Sequence, residues 1–233
     1  MVSLLVVGCH LFLIDESINF GHLGFGKKNL WGHRKMPKLG MEPIRKAALV
    51  NATIVEIGQK GSLDVTVAQI ARRAGMSSAL AHHYFGSKEE MFLAAMRQLL
   101  TVYGAEVRGA IAASEGPLGG PQGRVRAVLI ASFSPMNFRR DVVGAWLNFW
   151  VLAQSVPAAK RLLAIYQRRL HSNLVVGLRP LAGARAGAIA AGLAAMIDGL
   201  YLREALKIGA PDGAAAVRMA MDYLAAELAR GEK

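Results

Sequence analysis

The fold is decided by the stretch TVAQIARRAGMSSALAHHYFGSKEEMF, residues 66–92. It opens with a T-x-x-Q pattern at Thr66, which is a capping box for a short helix, VAQIARRA. Gly75 ends that helix, and Ser77 or Ser78 caps a second short helix, ALAHHYF. The stretch therefore predicts two short helices joined by a glycine-containing turn, which is the build of a helix-turn-helix.

The second of these helices presents polar groups that suit contact with duplex DNA. A recognition helix enters a major groove about 12 Å wide while the preceding helix crosses the phosphates. Thr66 at a helix start and Lys88 near the next helix start are placed to hold phosphate oxygens. The residues expected to point outward from the second helix are Ser77, Ser78, His82 and His83.

An ordinary helical hairpin is the alternative interpretation of the same stretch. In that case His82 and His83 are surface residues, and Arg72 with Arg73 forms a solvated face. In either case Ala71 is small enough to lie where the two helices meet. Ile70, Leu80 and Tyr84 can fill their shared core.

Helical spacing of apolar residues continues on both sides of this stretch, and no segment alternates as a strand would. The sequence predicts a first helix from Pro43 to about residue 58 and a long helix from Ser87 to about residue 113. A linker rich in Gly and Pro follows at residues 114–123. Further helices are expected at 122–133, 139–155, 158–179, 183–207 and 211–230, with breaks at Pro135, Pro157, Pro180 and Pro211.

The expected fold is all-α, with an N-terminal three-helix helix-turn-helix domain and a C-terminal helical domain for ligand binding and dimerisation. We assign residues 36–90 to the DNA-binding domain and residues 91–233 to the regulatory and dimerisation domain. Residues 1–35 begin with a short apolar run and continue without helical period, and we expect a disordered extension.

Composition limits the compartment and the partners. The 233 residues include one cysteine, Cys9, which excludes an internal disulfide and fits the reducing cytoplasm. Lys plus Arg number 28 against 16 Asp plus Glu, and the net charge of +12 suggests a polyanionic partner or an anionic surface. Because most of the excess lies at residues 117–233, the DNA-binding prediction rests on local geometry and not on bulk charge. The largely apolar run of 14 residues at the start is too short to cross a bilayer, and no other stretch reaches the apolar length of a membrane helix, so we expect no membrane partner.

Motifs of catalytic or metal sites are absent from the sequence. It contains no glycine-rich phosphate loop, no G-x-S-x-G and no H-E-x-x-H. The six histidines are too dispersed for a metal cluster. We therefore expect no enzymatic activity, no metal and no cofactor.

Two clusters in the C-terminal half predict a ligand site. AWLNFW places Trp146, Phe149 and Trp150 on one helix face, and MIDGLYLR places Asp198 and Tyr201 on another. A carboxylate in an apolar helix is costly unless a cation meets it. Aromatic faces with an anion suit a quaternary ammonium ligand, and choline would fit such a cage.

The two clusters also have a structural interpretation. Aromatic residues at helical spacing are commonly part of a core. Asp198 could instead lie at a dimer interface or pair with a nearby cation. The cations within reach along the sequence are Arg168, Arg169, His171 and Arg203.

The last two helices are candidates for a homodimer interface. AGARAGAIAAGLAAMIDGL is rich in Gly and Ala, which allows helix backbones to approach closely, and the final helix has a narrow apolar stripe. Such a pair could complete the subunit core or form a four-helix interface with its copy. Leu193 and Ile197, with small neighbours, offer surface for more than one partner helix and favour the interface.

Residues 36–100 resemble the N-terminal domain of the TetR family of repressors, down to the aromatic pair in HHYFGSKEEM. The resemblance implies that Tyr84 and Lys88 meet the DNA backbone and that the second helix of the motif reads bases. It also implies a homodimeric repressor that binds a palindromic operator and responds to a small molecule.

The resemblance extends along most of the chain. MPKLGMEPIRKAALVNATI, AWLNFW, YQRRLHSNLV and AMIDGLYLREAL are similar to a choline-responsive branch of that family. Such a protein is expected to control genes that convert choline to glycine betaine and to leave DNA when choline binds. The alternative is a repressor of the same family that controls another pathway and senses a different hydrophobic or cationic molecule.

Overall fold

A computed structural model describes residues 40–114 and 122–230, so the N-terminal extension expected at 1–35 lies outside the described residues. The described residues contain α-helices, one 3-10 turn and no strand, which confirms the all-α prediction. The α-helices are α1 (Met41–Lys60), α2 (Val67–Arg73), α3 (Ser78–Phe85), α4 (Lys88–Ser114), α5 (Gly123–Ser132), α6 (Arg140–Ser155), α7 (Pro157–Ala182), α8 (Ala186–Leu206) and α9 (Gly213–Ala229).

Local chemistry explains the ends of α2 and α3. The capping box at Thr66 is complete, because its hydroxyl accepts from the Gln69 backbone and the Gln69 side chain accepts from Thr66 N–H. Ser77 caps α3 through the backbone N–H of Leu80. Gly75 in the turn has φ of 70°, a conformation that favours glycine.

The three N-terminal helices share a core with the start of α4. Ile70 and Ala71 of α2 and Ala81 of α3 are buried, and Leu80 and Tyr84 are half-buried beside them. Buried methionine and phenylalanine side chains near the start of α4 complete this core. The small Ala71 side chain thus permits the close approach of α2 and α3 that the sequence predicts.

One predicted helix break is wrong. The sequence predicts an end near residue 179 because of Pro180, yet α7 continues through Pro180 to Ala182. Proline lacks the N–H that would bond the Val176 carbonyl and crowds that turn, so α7 loses one hydrogen bond there and continues for only two more residues. Gly183, with φ of 53°, then provides the actual stop.

The last two helices are partly core and partly surface. Leu193 and Ile197 are buried within the single chain, so the argument that they form interface surface is wrong. The exposed residues of α8 are instead Ala188, Ala191, Ala195, Gly199, Leu202, Arg203 and Leu206.

Within the described residues, the stretch Pro157–Leu206 is long and apolar enough to cross a membrane on length and composition alone. The sequence analysis expected no membrane partner. This stretch is two helices, α7 and α8, joined by a turn at Gly183–Arg185 and packed against each other. Apolar core helices of water-soluble proteins meet the same criterion.

Candidate DNA interface and ligand site

The predicted DNA-binding residues lie around one exposed face of the N-terminal helices. His82 and His83 are exposed on α3, Ser77 is exposed at its cap, and Ser78 is half-buried. Thr66 and Lys88 are exposed at the helix ends that flank α3. Tyr84 is half-buried beside His83, with the two ring centroids 5.5 Å apart.

The structure adds two residues of α1 that the sequence analysis missed. Arg45 Nη1 lies 3.5 Å from the Tyr84 hydroxyl, and Lys46 Nζ lies 5.9 Å from the Tyr84 ring centroid. Adjacent basic residues at a helix start were the available signal. Their proximity to Tyr84 depends on how α1 packs, which the sequence does not state.

Ala79 is a further residue on the exposed face of α3 that carries the predicted DNA-binding histidines. It is exposed on α3, on the same side as His82 and His83. A methyl side chain there lets the helix backbone approach base edges and can contact a thymine methyl group. The exposed face of α3 is therefore part polar and part apolar.

The two adjacent arginines of α2 have different surroundings. Arg73 bonds Glu56 at 2.5 Å and Gln59 at 2.6 Å, both on α1, so its charge holds α2 to α1. Arg72 is exposed.

His82 uses one of its two ring nitrogens in a hydrogen bond within the protein, because its Nδ1 donates to the Gly86 carbonyl at 3.2 Å. This bond leaves Nε2 of His82 available to DNA.

The predicted ligand residues mostly converge on one small cavity in the C-terminal half. Trp146 and Trp150 of α6 line it, together with Asp198 and Tyr201 of α8. Phe149 does not line it but packs under Trp146, with ring centroids 5.5 Å apart. We call this cavity and its lining the aromatic cage.

The structure adds two tyrosines to the aromatic cage. Tyr103 of α4 and Tyr166 of α7 both line it, and their ring centroids are 5.6 Å apart. Each lies in a stripe of apolar residues spaced four apart, Leu99-Tyr103-Val107-Ile111 and Tyr166-Leu170-Leu174. A tyrosine within an otherwise aliphatic stripe was the signal in the sequence.

Asp198 has a phenol as its partner in place of a cation. The Tyr166 hydroxyl donates to Asp198 Oδ1 at 2.9 Å, and within the described residues no cationic side chain forms an ion pair with Asp198. His171 instead contacts the Gly187 carbonyl. The alternative of an internal ion pair is therefore not what the structure contains.

Burial dominates the electrostatics of the aromatic cage. It raises the pKa of Asp198, an effect that the Tyr166 hydrogen bond partly offsets. Burial likewise raises the pKa of Tyr103 to about 12 and moves those of Tyr166 and Tyr201 upward. The cage thus holds neutral phenols around a carboxylate whose charge is poorly solvated.

The other hydroxyl groups of the cage are fixed by protein partners. Tyr103 Oη lies 2.8 Å from Ser132 Oγ, which itself donates to the Val128 carbonyl. The Tyr201 hydroxyl donates to the Asn137 carbonyl at 2.8 Å. These bonds connect α4 and α8 to the end of α5 and the segment that follows it.

A close helix crossing connects α6, which carries the cage tryptophans, to the N-terminal helices. Gly58 of α1 and Gly144 of α6 meet backbone to backbone, so a Cβ atom on Gly144 would lie 2.8 Å from Gly58 Cα. Trp146 is two residues further along α6. The helix that carries the cage tryptophans is thereby in direct contact with the domain that carries the DNA face.

Comparison with known proteins assigns both halves of the chain. Residues 49–95 match the tetR family of bacterial regulatory proteins, and residues 121–229 match the C-terminal domain of BetI-type transcriptional repressors. The chain is 52% identical over 194 residues to the HTH-type transcriptional regulator BetI of Brucella suis biovar 1 (strain 1330). That alignment covers 83% of this chain and 96% of the relative.

Solved structures give the same fold. A transcriptional regulator from Pseudomonas aeruginosa PAO1 superposes with a TM-score of 0.72 at 27% identity, covering 84% of this chain and 95% of the other. A transcriptional regulator from Saccharomonospora viridis, in complex with choline, superposes at 0.66 with 18% identity, covering 78% and 96%. The chain belongs to the TetR family of bacterial transcriptional regulators, with a BetI-type C-terminal domain, and is a DNA-binding repressor and not an enzyme.

Proposed function

We propose that this repressor controls genes that convert choline to glycine betaine and that choline, bound in the aromatic cage, releases it from its operator. The observation that carries the proposal is the cage itself. Five aromatic side chains from four helices surround a half-buried carboxylate that has no cationic partner among the described residues. A permanently charged ligand would supply that cation.

The chemistry of the cage matches a trimethylammonium group. Such a group has no N–H to donate, so it is held by the faces of aromatic rings and by a negative charge. Trp146, Trp150 and Tyr103 supply ring faces, and Asp198 supplies the charge. The Tyr166 hydroxyl donates one hydrogen bond to Asp198, which only partly replaces the solvation that a cationic ligand would supply.

The cage has to open for the ligand to enter. Its volume is about 30 Å³, enough for little more than water. Binding therefore requires that ring side chains move apart, and Tyr103 on α4 and Trp146 on α6 are attached to the two helices that contact the DNA-binding half. The ligand would favour the state with the expanded cage by its difference in affinity between the two states.

Relatives support the choice of ligand. The curated relatives are BetI regulators, and the Saccharomonospora viridis protein of the same fold is in complex with choline. Choline is a metabolite of the cytoplasm, the compartment in which a DNA-binding repressor would act. The DNA-contact residues that we propose are those predicted from the sequence together with Arg45, Lys46 and Ala79.

TetR-family regulators bind DNA operators as dimers, and we propose that α8 and α9 form the dimer interface here. The outer face of α8 is a stripe of small residues that ends at Leu202, and the outer face of α9 carries Met219, Asp222 and Ala226. Small side chains let two such pairs pack closely as a four-helix bundle. The two DNA faces would then fit half-sites of a palindromic operator.

Isothermal titration of the dimer with choline and with 3,3-dimethyl-1-butanol, its uncharged isostere, tests the ligand. We expect choline to bind and the isostere to bind at least tenfold more weakly, because only choline satisfies Asp198. Trp150→Ala should weaken choline binding, whereas the control Val151→Ala, exposed on the same helix and outside the cage lining, should not. Equal affinity for both compounds would instead favour a repressor that senses a neutral hydrophobic molecule.

A further inference from the structure

A second cavity lies on the other side of the two cage tyrosines. It is a groove of about 310 Å³ between α4 and α7, and we call it the α4–α7 groove. Tyr103 and Tyr166 line both this groove and the aromatic cage, so their rings form the wall between the two. Movement of the ring pair that opens the cage would join the two spaces.

The charge of the groove is opposite to that of the cage. Arg108 of α4 and Arg169 of α7 line it, and no carboxylate does. Neither arginine forms an ion pair or a hydrogen bond with any other residue that the structure describes. Ser172 and Asn173 add further polar groups to the same wall.

The arginines are close enough to the tyrosine wall to act on the same ligand. Arg169 is three residues beyond Tyr166, a helical rise of about 4.5 Å, and Arg108 is five residues beyond Tyr103. The Arg108 side chain folds back along α4, and its Nη1 lies 3.3 Å from where a Cβ atom on Gly104 would be. Glycine at 104 therefore leaves room for that guanidinium in the groove.

Both guanidinium groups are solvent-exposed, so water screens their repulsion of a simple cation in the cage, and both remain available to an anion. A ligand that carries both charges can use both cavities, because its ammonium end meets Asp198 and its acidic end meets the arginines. Guanidinium groups bind carboxylate and phosphate oxygens through paired hydrogen bonds. The chemistry of the two cavities is thus complementary to a single zwitterion.

We propose that the α4–α7 groove is an anion subsite and that the protein also binds quaternary ammonium compounds bearing a carboxylate or a phosphate. The trimethylammonium group occupies the aromatic cage, and the acidic group lies between Arg108 and Arg169. This inference rests on the proposed function, since it uses the same cage, and it widens the class of effector from choline to its acidic derivatives.

Isothermal titration of the full chain with choline, glycine betaine and phosphocholine tests the subsite. Glycine betaine carries a carboxylate close to the ammonium, and phosphocholine carries a phosphate further away. Comparing their affinities shows which acidic group the groove binds. The variant is Arg108→Gln with Arg169→Gln. The matched control is Arg168→Gln, an exposed arginine of α7 that does not line the groove.

We expect the wild-type protein to bind at least one zwitterion and the double variant to bind it at least tenfold more weakly. Choline affinity should be unchanged or higher in the double variant, and the control should match wild type throughout. The subsite is refuted if wild type binds neither zwitterion, or if the double variant binds them as wild type does. Failure of choline alone to bind would refute choline release and leave the subsite standing.

Discussion

At the scale of single residues, the ligand site depends on the environment of Asp198. Its carboxylate is half-buried against aromatic rings and accepts a hydrogen bond from one phenol, so its ionised form is poorly stabilised in the free protein. That cost is what a cationic ligand can relieve. Binding affinity and stability of the free protein should therefore change in opposite directions when the charge is removed.

Asp198→Asn tests this opposition. The amide keeps an oxygen for the Tyr166 hydroxyl but has no charge to bury, so the melting temperature of the free protein at neutral pH should rise by about 2–4 °C. Choline affinity should fall at least tenfold, because the ion pair is lost. Calorimetry and thermal unfolding measure both effects, and a variant that melts lower yet binds choline normally would contradict this role.

Choline binding should also depend on pH. Burial raises the pKa of Asp198 in the free protein, and the proposed ligand choline would bind the ionised form. Affinity should be constant above the raised pKa and should fall by about tenfold for each pH unit below it. The same pKa shift makes the free protein more stable as pH falls through that range. Titrations of wild type and Asp198→Asn with choline across pH test whether Asp198 causes this dependence, since the choline affinity of the variant should not change with pH.

Some residues on and beside α3 should contact DNA bases and others should contact phosphates, and variants of the two kinds should behave differently. His83→Ala should lower affinity for the specific operator by about 1–3 kcal/mol and have little effect on unrelated DNA. Lys88→Ala should weaken binding to both and reduce the slope of log affinity against log salt by about one. Binding isotherms at several salt concentrations measure both, and identical behaviour of the two variants would contradict the division.

At the scale of elements, the crossing of α1 and α6 joins the two functional halves. Gly144→Ala would place a Cβ atom 2.8 Å from Gly58 Cα, which must push the helices apart. We expect a loss of about 1–3 kcal/mol in unfolding free energy by urea denaturation. Gly109→Ala, on an open face of α4, is the control and should be neutral or stabilising by up to about 1 kcal/mol. Equal stability of both variants would show that the crossing tolerates a side chain.

The element scale also explains what could be predicted from sequence. Helix ends were predictable where capping residues mark them, as at Thr66 and Ser77, because caps act within one turn. The helix end predicted at Pro180 was wrong, because this proline costs α7 one backbone hydrogen bond in its last turn without ending the helix there. Trp146 and Asp198 were identifiable from local spacing.

Other parts of the site depend on packing between distant helices. Tyr103 and Tyr166 meet only because α4 packs against α7, and Arg45 reaches Tyr84 only because α1 packs beside α3. Leu193 and Ile197 were assigned to the surface for the same reason, since composition cannot tell an inner helix face from an outer one. Long-range packing, and not local pattern, therefore limits the prediction of sites.

At the scale of the whole molecule, function requires two copies in a fixed arrangement. Ala195 lies at the middle of the exposed stripe of α8, and Ala195→Arg would place a long charged side chain there. We expect this variant to be monomeric by light scattering and to lose operator binding. Ala164→Arg, on the exposed face of α7, is the control and should remain dimeric. A dimeric Ala195→Arg protein would place the interface elsewhere.

The most direct test of the account is the fluorescence anisotropy of DNA from the region upstream of the gene, bound to purified protein and titrated with choline. We predict that choline releases the wild-type protein and that Trp150→Ala, which should bind the same DNA equally well, stays bound at choline concentrations that release wild type. Wild-type protein that remains on this DNA at saturating choline, or a Trp150→Ala variant released at the same choline concentration, would contradict the account.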